Sequence, residues 1–260
     1  MFTDTHSHIH FAKEFPDVED LIVRAEEAGV TNQIIVGCTV KDSLQALEFV
    51  KARTGKRFWS TLGVHPHNAD QLTDAILADF ERLVGEEEKV VALGEMGLDY
   101  FRDFQPHDLQ QETFRRQLEL AKKLDVPVVV HVRDAWEDAM KILGGVGNSK
   151  VILHCFTGTI EYARECWERG YHTSFSGVVT YPKNEYLREA AAEAPAELLL
   201  IETDCPYLTP QSRRGQRNEP AFVVETAKCL ADQRGLTTEE AAKLTTENAL
   251  KLFGIGTFSS

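Results

Sequence analysis

The stretch Pro127-Val128-Val129-Val130-His131 is an apolar run of strand length that ends in an imidazole. The stretch Val151-Ile152-Leu153-His154 repeats this arrangement a short way further along the chain. Short runs of β-branched residues that end in polar residues predict buried strands. Between the two runs, the segment Ala135 to Leu143 carries apolar residues at three- and four-residue spacing, which predicts a helix. A strand, a helix and a strand in succession indicate a parallel sheet with helical crossovers.

The same alternation occurs eight times along the chain and predicts an α/β fold. The predicted strands are Met1 to His8, Gln33 to Thr39, Arg57 to His65, Val90 to Glu95, Pro127 to His131, Val151 to Cys155, Tyr171 to Gly177 and Leu198 to Asp204. The predicted helices between them are Asp17 to Ala28, Asp42 to Thr54, Asp74 to Gly85, Asp108 to Leu124, Ala135 to Leu143, Ile160 to Gly170 and Glu185 to Ala192.

After the eighth strand, the pattern predicts two more helices, Glu219 to Gln233 and Thr238 to Phe253. Thr237 or Thr238 would cap the second of these, with Glu240 completing a capping box. Eight strand and helix units followed by two helices predict a single (β/α)8 TIM-type barrel, in which the additional C-terminal helices complete the outer layer. The expected organisation is one barrel domain over residues 1–260.

The length of 260 residues fits one eight-unit barrel, which typically has about 250 residues, although two small domains would also fit. An open doubly wound sheet is the main alternative arrangement of such units. That fold binds nucleotides at a glycine-rich loop after its first strand, whereas the first strand here ends in His6-Ser7-His8-Ile9-His10. No GxGxxG or P-loop spacing follows any predicted strand, so the barrel is favoured.

The composition predicts a globular protein with an acidic surface. Hydrophobic residues make up 43% of the chain, and no stretch reaches the roughly 20 apolar residues needed to cross a bilayer. The chain begins without a basic and apolar leader, and its five cysteines lack CxxC spacing. We therefore expect a cytoplasmic protein with reduced thiols, no membrane contact and no obligate protein partner. A net charge of −13 excludes nonspecific coating of nucleic acid but allows a phosphate substrate in a locally positive cleft.

Residues with metal-ligand chemistry recur at the carboxyl ends of five predicted strands, which form the catalytic face of a barrel. His6 and His8 are two residues apart, so they would face the same side of a strand and could bind one metal ion together. Glu95 follows the apolar run of the fourth strand, and its two oxygens could bridge two divalent ions. His131 and His154 end the next two strands. Each histidine alone could be a hydrogen-bonded core residue, but their recurrence favours a metal site.

The eighth predicted strand contributes two carboxylates. Glu202 and Asp204 would share one face, and two carboxylates inside a barrel mouth would repel each other strongly without a nearby dication. Asp204 is predicted to be a metal ligand and the proton acceptor. Glu202 is predicted to orient a ligand or to hold a substrate group, with a salt bridge to an arginine as the alternative. Cys155 and Cys205 each follow a predicted site residue, and both are expected to point away from the metals.

Several residues beside the predicted metals are suited to a phosphate. His65, in Gly63-Val64-His65-Pro66-His67, is predicted to bind substrate phosphate or to protonate the leaving group. Arg133, Arg214 and Arg217 offer planar donors that match phosphate oxygens, although a surface loop with solvated arginines is the competing interpretation of the last two. Asp99 is expected to support the loop after the fourth strand or to contact a ligand from outside.

Seven ordered motifs give the chain a resemblance to the TatD family of metal-dependent deoxyribonucleases, within the amidohydrolase-like barrels. The motifs, spread over essentially the whole chain, are Thr3-Asp4-Thr5-His6-Ser7-His8, Gly63-Val64-His65-Pro66-His67, Gly94-Glu95-Met96-Gly97-Leu98-Asp99-Tyr100, Pro127-Val128-Val129-Val130-His131-Val132-Arg133, Leu153-His154-Cys155-Phe156-Thr157-Gly158, Glu202-Thr203-Asp204-Cys205-Pro206-Tyr207-Leu208 and Arg217-Asn218-Glu219-Pro220. The ligand sets that the resemblance implies are His6, His8, Glu95 and Asp204 for one ion and Glu95, His131 and His154 for the other. Glu95 would be the bridge, so no carbamylated lysine is required.

Three functions fit these predictions. The resemblance implies 3′–5′ removal of nucleotides from single-stranded or frayed DNA at the barrel mouth, by a water activated by two divalent ions of magnesium, manganese or zinc. The second function is hydrolysis of a small amide, lactone or aminoacyl ester, because the same water can attack a carbonyl carbon. The third is a noncatalytic binding or scaffold barrel whose histidines are structural. Metal analysis and parallel assays with oligonucleotides and carbonyl substrates would separate the three.

Overall fold

The computed structural model describes residues 1–256. Eight parallel strands alternate with helices, and each strand pairs with the next one along the chain. The strands are β1 (Phe2–Ser7), β2 (Val30–Ile35), β3 (Arg57–Leu62), β4 (Val90–Asp99), β5 (Val128–Arg133), β6 (Val151–Leu153), β7 (His172–Phe175) and β8 (Leu199–Ile201). The helices are α1 (Val18–Glu27), α2 (Val40–Lys51), α3 (Asp74–Glu86), α4 (His107–Leu124), α5 (Trp136–Val146), α6 (Ile160–Glu168), α7 (Glu185–Glu193), α8 (Val223–Arg234) and α9 (Thr238–Phe253). The predicted (β/α)8 barrel is confirmed.

The barrel closes between β1 and the segment that follows β8. The backbone N–H of Asp204 donates to the His6 carbonyl at 2.9 Å. The fully buried carboxylate of Asp4 accepts hydrogen bonds from the backbone N–H and the hydroxyl of Thr203, at 2.9 and 2.6 Å. These bonds place the carboxyl end of β1 beside the segment after β8, at the same edge of the barrel.

Two apolar layers pack on opposite faces of the strands. Val128 and Val130 belong to the outer layer, which lies between the strands and the helices. Val129 belongs to a second cluster with Ile34, Trp59, Val91, Ile152 and Leu200, which come from other strands and fill the barrel interior. Phe253 and Ile255 pack in this second cluster, so the end of α9 closes the interior as well as completing the outer layer.

Some strand ends differ from the predicted ones. β3, β6 and β8 end before His65, His154 and Asp204, which lie in the loops beyond their strands. Asp204 has a left-handed backbone with a φ of 56°. Glu202 and Asp204 are therefore not related by the two-residue alternation of a strand. That alternation was the reason for predicting that their side chains share one face, and it does not apply here. β4 is longer than predicted and runs to Asp99, because its pairing with β5 continues that far.

Three further boundaries test the sequence pattern. The helix predicted to start at Glu219 starts at Val223, after a single 3-10 turn at Pro220–Phe222. The capping box of α9 is confirmed, since the Thr237 hydroxyl accepts from the Glu240 N–H and the Glu240 carboxylate accepts from the Thr237 N–H. β2 lies earlier than predicted, and the residues after Ile35 continue toward the barrel mouth as a loop.

Gly97 lies where β4 approaches β5 too closely for a side chain. Its φ is +141°, and a Cβ atom there would lie 2.0 Å from the carbonyl oxygen of His131. We expect Gly97→Ala to lower the free energy of unfolding by about 2–4 kcal/mol, through backbone strain and overpacking. Urea unfolding measures this change. Gly55→Ala is the control, because no atom lies within 4 Å of its added Cβ; an equal effect of both substitutions would contradict the steric explanation.

Candidate metal centre

The structure brings the six predicted metal ligands together at the carboxyl end of the barrel. The ligands lie in β1 and just after it, in β4 and β5, just after β6, and in the loop after β8. The side chains form two groups of nitrogen and oxygen atoms, with Glu95 between them; the six residues are His6, His8, Glu95, His131, His154 and Asp204.

The first group consists of His6, His8 and Asp204. The two Nε2 atoms of the histidines lie 3.2 Å apart. The Oδ1 atom of Asp204 lies 3.6 Å from His6 Nε2 and 3.4 Å from His8 Nε2. The prediction that the two histidines face the same side is confirmed. Three donor atoms at these separations can bind one divalent cation.

The second group consists of His131, His154 and one oxygen of Glu95. Glu95 Oε1 lies 3.0 Å from His131 Nδ1 and 2.9 Å from His154 Nε2. The two imidazole nitrogens are 3.2 Å apart. This is a second set of three donors that can bind a cation.

Glu95 links the two groups through its two oxygens. Oε1 belongs to the second group, while Oε2 lies 3.5 Å from His6 Nε2 in the first. The residue is only 4% exposed. Burial opposes ionisation, but the neighbouring His154 holds the pKa of the Glu95 carboxyl well below its usual range. A buried carboxylate with imidazoles on both of its oxygens fits a bridge between two cations.

The outer nitrogens of three imidazoles are held by acceptors, which leaves the inner nitrogens free to bind a cation. A neutral imidazole that donates from one nitrogen carries its lone pair on the other. These donations run from His8 Nδ1 to the Val36 carbonyl at 2.9 Å, from His131 Nε2 to Asp99 at 3.3 Å and from His154 Nδ1 to Glu202 at 3.2 Å. These acceptors hold the three rings in orientations that turn the inner nitrogens toward the two groups, and they favour the tautomers that metal binding requires.

Glu202 and Asp99 contact two of the candidate ligands from outside. Glu202 is fully buried, and its Oε1 accepts from both His154 Nδ1 and the backbone N–H of Cys155. These contacts are in line with the predicted orienting role, while its second oxygen, Oε2, is buried without a hydrogen-bond partner among the described residues. Asp99 accepts from His67 Nε2 at 2.8 Å in addition to His131, and it also accepts backbone N–H groups of its own loop.

His65 lies at the edge of the second group and acts as a donor. Its Nδ1 accepts from the backbone N–H of His67 at 3.1 Å, so the proton of the neutral ring is on Nε2. That Nε2 lies 3.4 Å from Glu95 Oε1. Burial lowers the pKa of His65 to about 4, which keeps the ring neutral at pH 7. This geometry favours the predicted role in phosphate binding over protonation of a leaving group.

The three predicted substrate-binding arginines differ in their surroundings. The Arg133 guanidinium lies 3.8 Å from the centre of the exposed Phe101 ring. Arg214 is exposed and donates to the Tyr181 hydroxyl at 2.9 Å. Arg217 donates to the Asp17 carboxylate at 2.8 Å, and this bond lowers the pKa of Asp17 to about 2. Arg217 is thus accounted for by loop contacts, in line with the competing interpretation.

The sequence pattern did not assign two residues that touch the ligands. Asp4 accepts from the His6 N–H and from Thr203, and burial raises its pKa to about 7. Its spacing of two residues before His6 was the available signal. The thiol of Cys38 donates to Glu95 Oε2 at 3.3 Å, and the position of Cys38 just beyond β2, at the barrel mouth, was the signal there.

Imidazole and carboxylate donors converge at the carboxyl ends of the strands of a (β/α)8 barrel. This arrangement is typical of metal-dependent hydrolases, and that is the class of protein that the fold and the site define. The family model described as TatD related DNase matches residues 3–254. The chain is 42% identical to the uncharacterized metal-dependent hydrolase YabD of Bacillus subtilis, covering 98% of this chain and all of that protein. It is 39% identical to the 3'-5' ssDNA/RNA exonuclease TatD of Pantoea ananatis, covering 92% and 94%. The crystal structure of YJJV, a TatD homologue from Escherichia coli, superimposes with a TM-score of 0.91 at 30% identity over 98% of both chains.

The chain belongs to the TatD family of metal-dependent hydrolases. The prediction of a hydrolase is confirmed, and the interpretation as a noncatalytic scaffold is not supported. None of the helices in residues 1–256 is both long and apolar enough to span a membrane.

Proposed function

We propose that the protein removes nucleotides one at a time from the 3′ end of single-stranded DNA, using two divalent ions. The observation that carries this proposal is the division of Glu95 between two groups of donors, with one oxygen in each. His6, His8 and Asp204 would hold one ion with Glu95 Oε2, and His131 and His154 would hold the other with Oε1. Two ions flanking one carboxylate are typical of enzymes that cleave phosphodiesters. The five unpaired thiols fit a reducing compartment, and we place the activity in the cytoplasm.

Different side chains have different roles in the proposed hydrolysis. When bound, the two ions would supply an acidified water and positive charge opposite the phosphoryl oxygens. Asp204 accepts the proton of the attacking water; although burial would raise its pKa, the contact with His8 lowers it, so the carboxylate is ionised at neutral pH. His65 donates its Nε2–H to a phosphoryl oxygen, and Arg133 is available for the neighbouring phosphate.

Exposed aromatic rings around the mouth favour an unpaired nucleic acid over a small carbonyl substrate. All four strongly exposed rings of Phe, Tyr and Trp residues in the described chain follow the carboxyl ends of strands; they are Phe101, Phe104, Tyr186 and Tyr207, at 54%, 62%, 42% and 55% exposure. The Phe104 ring meets the His67 ring at 4.8 Å between centroids, and the Tyr207 ring lies 6.4 Å from the His8 ring. Unpaired bases stack on such rings, whereas paired bases do not offer their faces.

Phe104→Leu and Tyr207→Leu are each expected to raise KM for a single-stranded oligonucleotide about 5- to 150-fold with little change in kcat, because base stacking contributes about 1–3 kcal/mol per base. Steady-state kinetics on an end-labelled oligonucleotide measures this effect. It should vanish on an oligonucleotide whose 3′-terminal nucleotides are abasic. Val23→Ala, an exposed apolar residue on α1, is the control. Equal KM values for the variants and the wild type would show that bases do not stack on these two rings.

The direct test of the proposed function is a time course on 5′-labelled single- and double-stranded oligonucleotides with magnesium, manganese or zinc. A ladder that shortens from the 3′ end, faster on the single strand and abolished by chelation, is the expected result. If the oligonucleotides stay uncleaved with all three ions while parallel assays show hydrolysis of an amide, lactone or aminoacyl ester, the proposal is wrong. The protein is then a hydrolase of carbonyl substrates.

A further inference from the structure

Cys38 lies in the ring of strand-end segments that forms the metal centre. Its backbone carbonyl accepts from the His65 N–H at 2.9 Å, and its N–H donates to Asp42 Oδ2 at 2.8 Å. The preceding residue, Gly37, accepts from the backbone N–H of Glu95 at 2.9 Å. The loop after β2 is therefore fixed between the segments that carry His65 and Glu95, and the position of the thiol is set by the barrel itself.

The Cys38 thiol points at the first group of donors. Its Sγ lies 3.3 Å from Glu95 Oε2, the oxygen on the side of His6. It lies 4.0 Å from Nδ1 of His8, the outer nitrogen of that ring, which donates to the Val36 carbonyl. One donor atom from each of His8, Cys38 and Glu95 lies within 4.8 Å of the other two. We propose that the Cys38 sulfur is a further ligand of the ion held by His8 and Glu95, and that it makes this half of the centre select a zinc-type ion over magnesium.

The distances fit a sulfur and an oxygen that share one ion. Zinc lies about 2.3 Å from sulfur and about 2.1 Å from oxygen ligands, so neighbouring sulfur and oxygen ligands of one ion are roughly 3.1–3.6 Å apart for bond angles of about 90–110°. The separation of 3.3 Å between Cys38 Sγ and Glu95 Oε2 lies within this range. Binding replaces the S–H···O hydrogen bond with two bonds to the ion, and the thiol proton is released to solvent.

The other four cysteines have different surroundings, which makes the position of Cys38 specific. The Cys155 sulfur lies 3.1 Å from the Ser176 hydroxyl, and Cys166 contacts Met140 in the core. Cys205 is fully buried, and Cys229 lies near the Val179 carbonyl. Among the described cysteines, Cys38 is the one with a carboxylate of the metal centre as its hydrogen-bond partner.

A thiolate ligand changes which ions the centre favours. Thiolate is a soft ligand that suits zinc, cobalt and related ions, whereas magnesium is bound by oxygen. With Cys38 included, the first half of the centre offers nitrogen, oxygen and sulfur donors, and the second offers nitrogen and oxygen donors. The two halves are therefore expected to differ in their preferred metal. This inference rests on the ion binding of the proposed function but not on its DNA substrate.

The test uses cobalt(II), which gives a near-ultraviolet charge-transfer band when sulfur is bound to it. The full-length wild type, Cys38→Ser and Cys155→Ser proteins are stripped with a chelator and titrated with cobalt, and bound metal is measured by elemental analysis. We expect the band in the wild type and in Cys155→Ser. Cys38→Ser should lose the band and bind zinc about 10- to 100-fold more weakly, with its magnesium affinity unchanged.

Each of three results would overturn the inference: a wild-type protein that binds cobalt without the band, a wild-type protein that does not bind cobalt, or a band that persists in Cys38→Ser. Circular dichroism confirms that each variant is folded. The readout is independent of nuclease activity. A protein with the cobalt band and no DNA cleavage would retain this inference and refute the proposed function, and cleavage without the band would do the reverse.

Discussion

Glu95→Gln is expected to reduce hydrolytic activity by about 10⁴-fold or more, because both halves of the metal centre use its carboxylate. Glutamine keeps the size of the side chain but loses the charge, so the buried imidazoles on its two oxygens no longer face an anion. We expect fewer than two ions per chain in the purified variant. Elemental analysis and single-turnover cleavage of a labelled oligonucleotide measure the two effects.

The matched control for this substitution is Glu119→Gln, on the exposed face of α4. It makes the same chemical change away from the barrel mouth and should leave metal content and rate unaltered. A folded Glu95→Gln protein with two bound ions and the wild-type rate would show that Glu95 is not the bridge. The effect of the substitution on the fold itself is read from the urea unfolding transition.

Asp204→Asn is expected to lower kcat about 10²- to 10⁴-fold, the range over which general base catalysis contributes. Asparagine can keep the contacts of Oδ1 with the two histidines but cannot accept a proton from water at neutral pH. The ion on His131 and His154 should remain, since Asp204 is not among their partners in the second group. The measurement is the rate of the chemical step under single-turnover conditions, with saturating metal.

Asp232→Asn on the exposed face of α8 is the control for Asp204→Asn. The assignment of Asp204 as proton acceptor fails if the variant keeps the wild-type rate at saturating metal. A rate that recovers fully when more metal is added would show that Asp204 is a ligand alone. A loss that persists at every metal concentration supports the proton-accepting role.

The sequence predicted the barrel because its strands have an unusually clear signal. Val128-Val129-Val130 and Val151-Ile152-Leu153 are apolar on both faces, as strands buried between a barrel interior and a helical layer must be. The polar residue that follows each run marks the end at which the site lies. For this reason the histidines and Glu95 could be predicted from the pattern as candidate ligands.

Side-chain directions beyond the strand ends could not be predicted in the same way. Asp204 reaches His8 from a left-handed backbone conformation, which closure against β1 stabilises and local spacing does not encode. The tautomer of His65 depends on a backbone N–H donated by His67, and the Cys38 thiol contacts Glu95 Oε2, 57 residues further along the chain. Such contacts depend on the conformation of a loop or on the packing of distant segments, so a pattern of residue types does not contain them.

The hydrogen bonds between Asp4 and Thr203 join positions that are 199 residues apart. Bringing together segments so distant in sequence is entropically costly and slow. We therefore expect these hydrogen bonds to form late in folding. A nascent chain on the ribosome would lack the complete first ion site until its last strand had emerged. Uptake of that ion would then mark the moment at which synthesis has yielded a complete hydrolase, and incomplete chains would be inactive.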